Sequence, residues 1–158
     1  MTPRPARAGD APAIAAIWNH HIRNSAATFN AQEKTEAEVA AAIATNPCFL
    51  VIEADGAIAG FATYVQFRGG VGYRHTMEHT VQLASGQSGR GLGRALVTAL
   101  EDHTRLGAVH SLIAGVSGEN PAGIAFHRAL GYTEVGRLPE VGHKFGRWME
   151  LVLMQKRL

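Results

Sequence analysis

The sequence predicts an α/β fold in which a mixed, mostly antiparallel central sheet carries helices on both faces. Three observations carry that expectation. The spacing of apolar residues switches between strand and helix periods along the chain, in the order β-α-α-β-β-β-α-β-α-β-β. Asp55-Gly56 joins two strand-like runs as a tight hairpin turn. Gly89-Arg90-Gly91-Leu92-Gly93 falls where a strand gives way to a helix. A meander followed by a β-α-β unit puts antiparallel and parallel pairs into one sheet.

Composition fits one globular unit, expected to span residues 1–158. The 46% apolar content supplies a core, and the 18% charged content is too low for a disordered chain. The formal net charge is only +2, without a run of like charges, which argues against a nucleic-acid surface. The one cysteine, Cys48, excludes an internal disulfide and lies in the apolar run Cys48-Phe49-Leu50-Val51-Ile52, as a buried, inert thiol would. Neither a signal peptide nor a membrane span is evident. A cytoplasmic enzyme or binding protein is the expectation.

Residues Thr2 to Arg7 read as a first strand, and the prolines confine it to an edge. Asp10 as N-cap and Pro12 in the first turn open a helix that ends near Asn24, with Ile14, Ile17 and Trp18 on one face. Ser25 to Gln32 is aperiodic and reads as a loop. Thr35 and Glu38 form a capping box for a helix from Glu36 to Ala44, which Asn46-Pro47 stops. Phe49 to Ala54 and Ala57 to Phe67 are the hairpin strands, and Arg68 to Tyr73 is a Gly-rich loop. The central strand, Glu78 to Leu83, begins as early as His75. Its helix, Gly91 to Leu106, aligns Leu92, Leu96 and Leu100, with Gly107 as its C-cap. Val109 to Val116 is a strand. Asn120-Pro121 opens a last helix, which Gly131 ends, and strands Thr133 to Glu140 and Arg147 to Gln155 close the chain.

The glycine turn carries the chemistry. Alternate glycines at a strand-to-helix junction expose backbone N–H groups, and the first helical turn adds unpaired donors and partial positive charge. Such a turn binds phosphate, and Arg90 and Arg94 add full charges nearby. The same glycines also suit a plain tight connection. Two common phosphate loops are excluded: Leu92, not Lys, follows Gly86 to Gly91, and Gly89, Gly91 and Gly93 have the wrong spacing for GxGxxG.

What remains, Ser88-Gly89-Arg90-Gly91-Leu92-Gly93, resembles the acetyl-CoA loop Q/R-x-x-G-x-G/A of the GCN5-related N-acetyltransferases (GNAT). Ser88 departs from the usual Gln or Arg, and Gln87 sits one place early. Asn120 to Tyr132 resembles the family's N-x-x-A-x-x-L-Y-x-x-x-G-F helix. Leu138 to Trp148 and Glu78-His79-Thr80-Val81 are similar to the phosphinothricin and methionine sulfoximine acetyltransferases, although Gln82 stands where an aromatic residue is expected.

The resemblance covers nearly the whole chain and implies a central strand that bulges and splays from its parallel neighbour. It implies acetyl-CoA as cosubstrate and no metal. Pyrophosphate would lie on Ser88, Gly89, Arg90, Gly91, Leu92, Gly93 and Arg94. Pantetheine would lie along Val81, Gln82 and Leu83, with a further contact from Asn120. It makes Glu78 the general base, whereas the residues alone allow a strand Glu paired with Arg74. His127 replaces the Tyr that would protonate the leaving thiolate, or is a packed or surface His. Asn120 is equally an N-cap. His75 and His79 share a strand face, but no third ligand makes a zinc site. His20, His21, His103 and His110 read as solvated or capping.

Phe29, Arg68, Gly69 and Gly70, with Glu78, His79 and Thr80, are the candidate substrate residues. Arg68 could pair a carboxylate or oxyanion, or be solvated, and Phe29 could be core. The resemblance implies a small amino-acid-like amine as substrate and a homodimer as the assembly. Two alternatives stay open: acetylation of protein N-termini or lysines, and a non-catalytic acetyl-CoA-binding module.

Overall fold

The structure is a computed structural model and describes residues 1–158. Seven strands form one sheet in the order β1-β2-β3-β4-β5-β7-β6. They are β1 (Arg4–Pro5), β2 (Cys48–Ala54), β3 (Ala57–Gln66), β4 (Thr76–Leu83), β5 (Ser111–Ser117), β6 (Thr133–Lys144) and β7 (Arg147–Arg157). Only β4 and β5 pair in parallel. The helices are α1 (Ala11–Asn24), α2 (Glu36–Thr45), α3 (Leu92–Thr104) and α4 (Pro121–Ala129). The mixed sheet with helices on both faces is the architecture that the element order predicts.

Strand alternation divides the core into two layers. On one face, Leu50, Ala62, Tyr64, Leu112, Ala114 and Val152 pack against Leu92, Leu96 and Leu100 of α3 and Ile124 of α4. On the other, Phe49, Val51 and Phe61 pack against Ile14, Ile17 and Trp18 of α1 and Val39 of α2. Trp18 packs on Phe61 with ring centroids 4.8 Å apart and the rings tilted by 43°.

Several boundaries differ from the sequence expectation. β1 is two residues long, because Pro3 and Pro5 have no N–H to give a ladder. Asp10 precedes α1 without capping it. Its carboxylate instead accepts from the Arg4 guanidinium at 2.8 and 3.1 Å and from the Arg7 N–H at 2.8 Å. Thr35 and Glu38 do form the capping box. α3 ends in tight turns, Leu106 N–H to His103 O and Gly107 N–H to Thr104 O, so Gly107 is not a left-handed cap. Gly131, at φ +94°, does follow α4 in that role. The last hairpin is longer than expected. β6 runs past a bulge, where Glu140 has φ +55°, to a Phe145-Gly146 turn with both residues at positive φ. Phe is a poor marker for such a turn, so the strand appears in sequence to stop early.

The break that matters is between β4 and β5. Their register runs from Thr76↔Ser111 to His79↔Ala114 and stops, although β4 continues to Leu83 and β5 to Ser117. β4 stays paired with β3 throughout.

Candidate active site

The gap between β4 and β5 opens a cleft of about 510 Å³ that passes between the two layers. Backbone groups line it because the strands have parted. The hydrogen bonds Phe67 N–H to Thr76 O and Ala84 N–H to Ala59 O fix the β3–β4 alternation. Even-numbered residues of β4 therefore bond to β3, and His79, Val81 and Leu83 turn their backbone groups towards β5. Beyond His79 there is no β5 pairing. Val81 N–H and C=O thus face the gap without a strand partner. The Leu83 carbonyl accepts from His21 Nε2 at 2.8 Å, which ties α1 to the end of β4.

Glu78 lies on the α1/α2 face of β4 and lines the cleft. It takes part in none of the ion pairs, so the alternative pairing with Arg74 is absent. Burial raises its pKa above the usual carboxylate value of 4.5. Across the gap, a Cβ on Gly115 would sit 2.9 Å from Glu78 Oε2 and 3.4 Å from the Leu151 side chain. Glycine at 115 leaves the carboxylate its room. Thr80, Gln82 and Phe29 line the cleft with it. Gln82 Oε1 is buried without a hydrogen-bond partner.

The opposite bank is formed by α3 and α4. Gly86, Gly89 and Gly91 hold φ of 80°, 80° and 79°, left-handed values that side chains resist. Gly91 caps α3, whose first N–H groups are left without helical partners. Gly93 packs so close to α4 that a Cβ would sit 3.1 Å from the Phe126 ring. Ser88 and Gly93 line the cleft, and Leu92 is buried in the core. Arg94 is exposed. Arg90 turns away, bonded to Asp55 and Gln87 at 2.8 and 2.7 Å. Asn120 caps α4 by accepting the Gly123 N–H at 3.0 Å and also reaches the cleft.

His127 is a packed residue rather than a free acid. Its Nδ1 lies 2.8 Å from the Gly123 carbonyl, which can only accept, so Nδ1 carries a proton. Its Nε2 lies 2.9 Å from His79 Nε2. Burial lowers both imidazole pKa values, so both rings are neutral at pH 7. Neutral His127 then accepts from His79 Nε2–H. His79 Nδ1 is left as a buried acceptor without a partner. Neither proton of the pair points freely into the cleft.

Arg68, Gly69 and Gly70 do not line the cleft within this chain; Arg68 is exposed and lies over the Tyr73 ring at 5.5 Å. His75 donates to the Ala108 carbonyl, and no group of three or more His, Cys, Asp or Glu side chains could hold a metal ion. Cys48 is buried, with its thiol pKa pushed up to about 11. No helix is long and apolar enough to cross a membrane. Sequence reasoning missed Trp18, His21, Lys34, Ser117 and Phe126, all of which line the cleft. Phe126 and Trp18 read as helix core, and only the fold shows that their faces end at an opening.

Comparison with known proteins gives a concordant picture. The family model of the acetyltransferase (GNAT) domain matches residues 4–153. An L-methionine sulfoximine/L-methionine sulfone acetyltransferase of Salmonella typhimurium (strain LT2) is 37% identical, over 100% of this chain and 95% of its own length. A crystal structure of a ribosomal-protein-alanine N-acetyltransferase from Brucella melitensis superposes with a TM-score of 0.96, at 38% identity and full coverage of both chains. That of a phosphinothricin acetyltransferase from Sinorhizobium meliloti, in complex with acetyl-CoA, superposes with a TM-score of 0.93, at 32% identity, covering 99% of this chain and 88% of that one.

Proposed function

The chain belongs to the GNAT acetyltransferase family, and from that premise we propose that it moves the acetyl group of acetyl-CoA onto the amine of a small amino-acid-like substrate such as methionine sulfoximine or phosphinothricin. The enzyme class follows from the family: it is an N-acetyltransferase with acetyl-CoA as cosubstrate. The observation that carries the finer reading is the Glu78 carboxylate, half-buried and unpaired, on one side of a strand gap whose other side is lined by backbone donors.

The residues divide the work. The N–H groups from Ser88 to Arg94 at the start of α3 bind pyrophosphate. Val81 pairs its free backbone with the pantetheine arm, and an unpaired N–H of the parted strand stabilises charge on the thioester oxygen. Glu78 takes the proton of the attacking amine, its raised pKa making it a stronger base than an exposed Glu. Asn120 adds a polar contact near the α4 end of the cleft. The leaving thiolate takes its proton from a group other than His127, whose nitrogens are both engaged by His79 and the Gly123 carbonyl.

A small-amine pocket is supported by how the amine side is closed. Phe29 packs so tightly on Gly142 that a Cβ there would lie 2.5 Å from the ring. Acetylation of a protein N-terminus is the competing reading, favoured by the likeness to the Brucella ribosomal-protein-alanine N-acetyltransferase. Acetyl-CoA turnover, read as free thiol, separates them. Methionine sulfoximine and phosphinothricin are expected to exceed alanine-terminated peptides in kcat/KM; faster peptide turnover would overturn the reading.

We also infer a homodimer. Edge strand β6, its partner β7 and the turn between them expose Val135, Leu138, Val141, Phe145 and Trp148, apolar surface that a monomer leaves wet. A cytoplasmic setting fits the single cysteine, buried as a free thiol.

A further inference from the structure

Lys144 is the least explained side chain in the molecule. It ends β6 at only 3% exposure, and no carboxylate lies within ion-pair range of it. Its Nζ donates instead to two backbone carbonyls, Ser25 O at 2.7 Å and Thr28 O at 2.8 Å. Burial pulls its pKa below the ordinary lysine value. A buried amine costs stability unless it is well bonded, so a lysine here needs a reason beyond packing.

The two carbonyls supply one. Ser25 and Thr28 belong to the segment between α1 and α2, which has no regular hydrogen-bond ladder of its own. Ala27, Thr28, Phe29 and Asn30 of that segment line the cleft. Two residues before Lys144, on the same face of β6, Gly142 receives the Phe29 ring. Any Cβ at 142 would lie 2.5–2.7 Å from three ring atoms. Lys144 thus grips the backbone of the segment, and Gly142 seats its one large side chain. Across the sheet Gly142 pairs with Met149 of β7, and Leu151 beyond it lines the cleft on the same side as Glu78.

We propose that Lys144 and Gly142 are positioning residues for the amine substrate: they clamp the 25–30 segment to the last hairpin and so set how far Phe29 stands from Glu78. The inference rests on the reading of the Glu78 side as the amine side. It makes the hairpin a determinant of acceptor size and affinity. The cosubstrate bank on α3 is out of its reach.

Two variants test it, with two readouts each. Lys144→Met keeps the length of the stem and loses both donors. Gly142→Ala keeps Lys144 and pushes the ring. Lys144→Met should raise KM for methionine sulfoximine about tenfold, the rough worth of one or two hydrogen bonds, and Gly142→Ala should raise it as well. The Kd of acetyl-CoA, by calorimetry, should stay within about twofold, and kcat at saturating amine should stay within about threefold. In Lys144→Met, hydrogen exchange should speed up at residues 25–30 and stay unchanged in α3. Unchanged exchange at 25–30 overturns the clamp. Faster exchange there with unchanged amine KM overturns the positioning role. An equal loss of acetyl-CoA affinity does so too, since it marks a general structural defect. The wild-type enzyme controls the underlying reading. If it turns over no amino-acid analogue, that reading fails by itself, and the exchange experiment still decides the clamp.

Discussion

The two banks of the cleft are built from different materials. The α3 bank is backbone: glycines at left-handed φ, the unpaired N–H groups of a helix start, and the freed edge of β4 at Val81. Its two arginines take no part in the lining, and Arg90 is spent on Asp55. The Glu78 bank is side chain. The Glu78 carboxylate of β4 and the Phe29 ring of the α1–α2 segment line it, and the buried Lys144 amine of β6 holds that segment. A backbone site suits a cosubstrate common to a family, because it depends on conformation more than on residue identity. A side-chain site can be retuned by a single replacement. Damage to the first should therefore appear in cosubstrate affinity, and damage to the second in the amine or in the chemistry.

The largest effect expected is that of Glu78→Gln, which keeps shape and removes the carboxylate proposed as base. kcat should fall roughly 10²–10⁴-fold at neutral pH, while calorimetry finds acetyl-CoA affinity unchanged. A matched loss of affinity would erase the distinction between the banks. Gly91→Val comes next. Forcing a β-branched residue to φ +79° costs about 1–3 kcal/mol, so acetyl-CoA affinity should drop about tenfold to a hundredfold. Amine KM, measured at saturating acetyl-CoA, should hold. Normal affinity in the folded variant would remove the glycine turn from the site. Arg90→Ala should be the mildest. Its exposed pair with Asp55 is worth less than about 1 kcal/mol, so affinity should change less than about fivefold. A much larger loss would mean that Arg90 leaves Asp55 for the cosubstrate and that this bank, too, depends on side chains.

The same contrast governs what the sequence makes legible. Backbone devices leave local marks. The Asp55-Gly56 turn, the Thr35–Glu38 capping box and the alternate glycines at 89, 91 and 93 can each be read in a few consecutive residues. The architecture followed from them and from the apolar periods. The last hairpin is obscure in sequence because Phe145 occupies a positive-φ position that Asn, Asp or Gly usually marks. Side-chain meetings leave no local mark. Lys144 reaches Ser25 across 119 positions, and His79 reaches His127 across 48. Neither pairing has a spacing to recognise. Arg68 shows the reverse case: a charged residue among glycines reads as a recognition site, and within this chain it lies outside the cleft. Glu78 is singled out by family resemblance alone; without it, a lone strand Glu reads first as half of an ion pair.

The central claim is that Glu78 removes a proton from the amine, and a pH–rate series on wild type and Glu78→Gln tests it most directly. Burial favours the neutral acid, so the pKa of Glu78 lies above 4.5 in the folded enzyme. The carboxylate fraction therefore rises later with pH than that of an exposed Glu. Wild-type kcat/KM should climb through that raised pKa on its acid limb, and the Gln variant should lack the limb. Towards the amine's own pKa, solvent supplies the free amine and the variant should close on wild type. The account predicts a defect that is large at pH 7 and shrinks steadily as the pH rises. A ratio of the two rates that stays constant at every pH would contradict it and leave Glu78 as a residue that only holds the substrate in place.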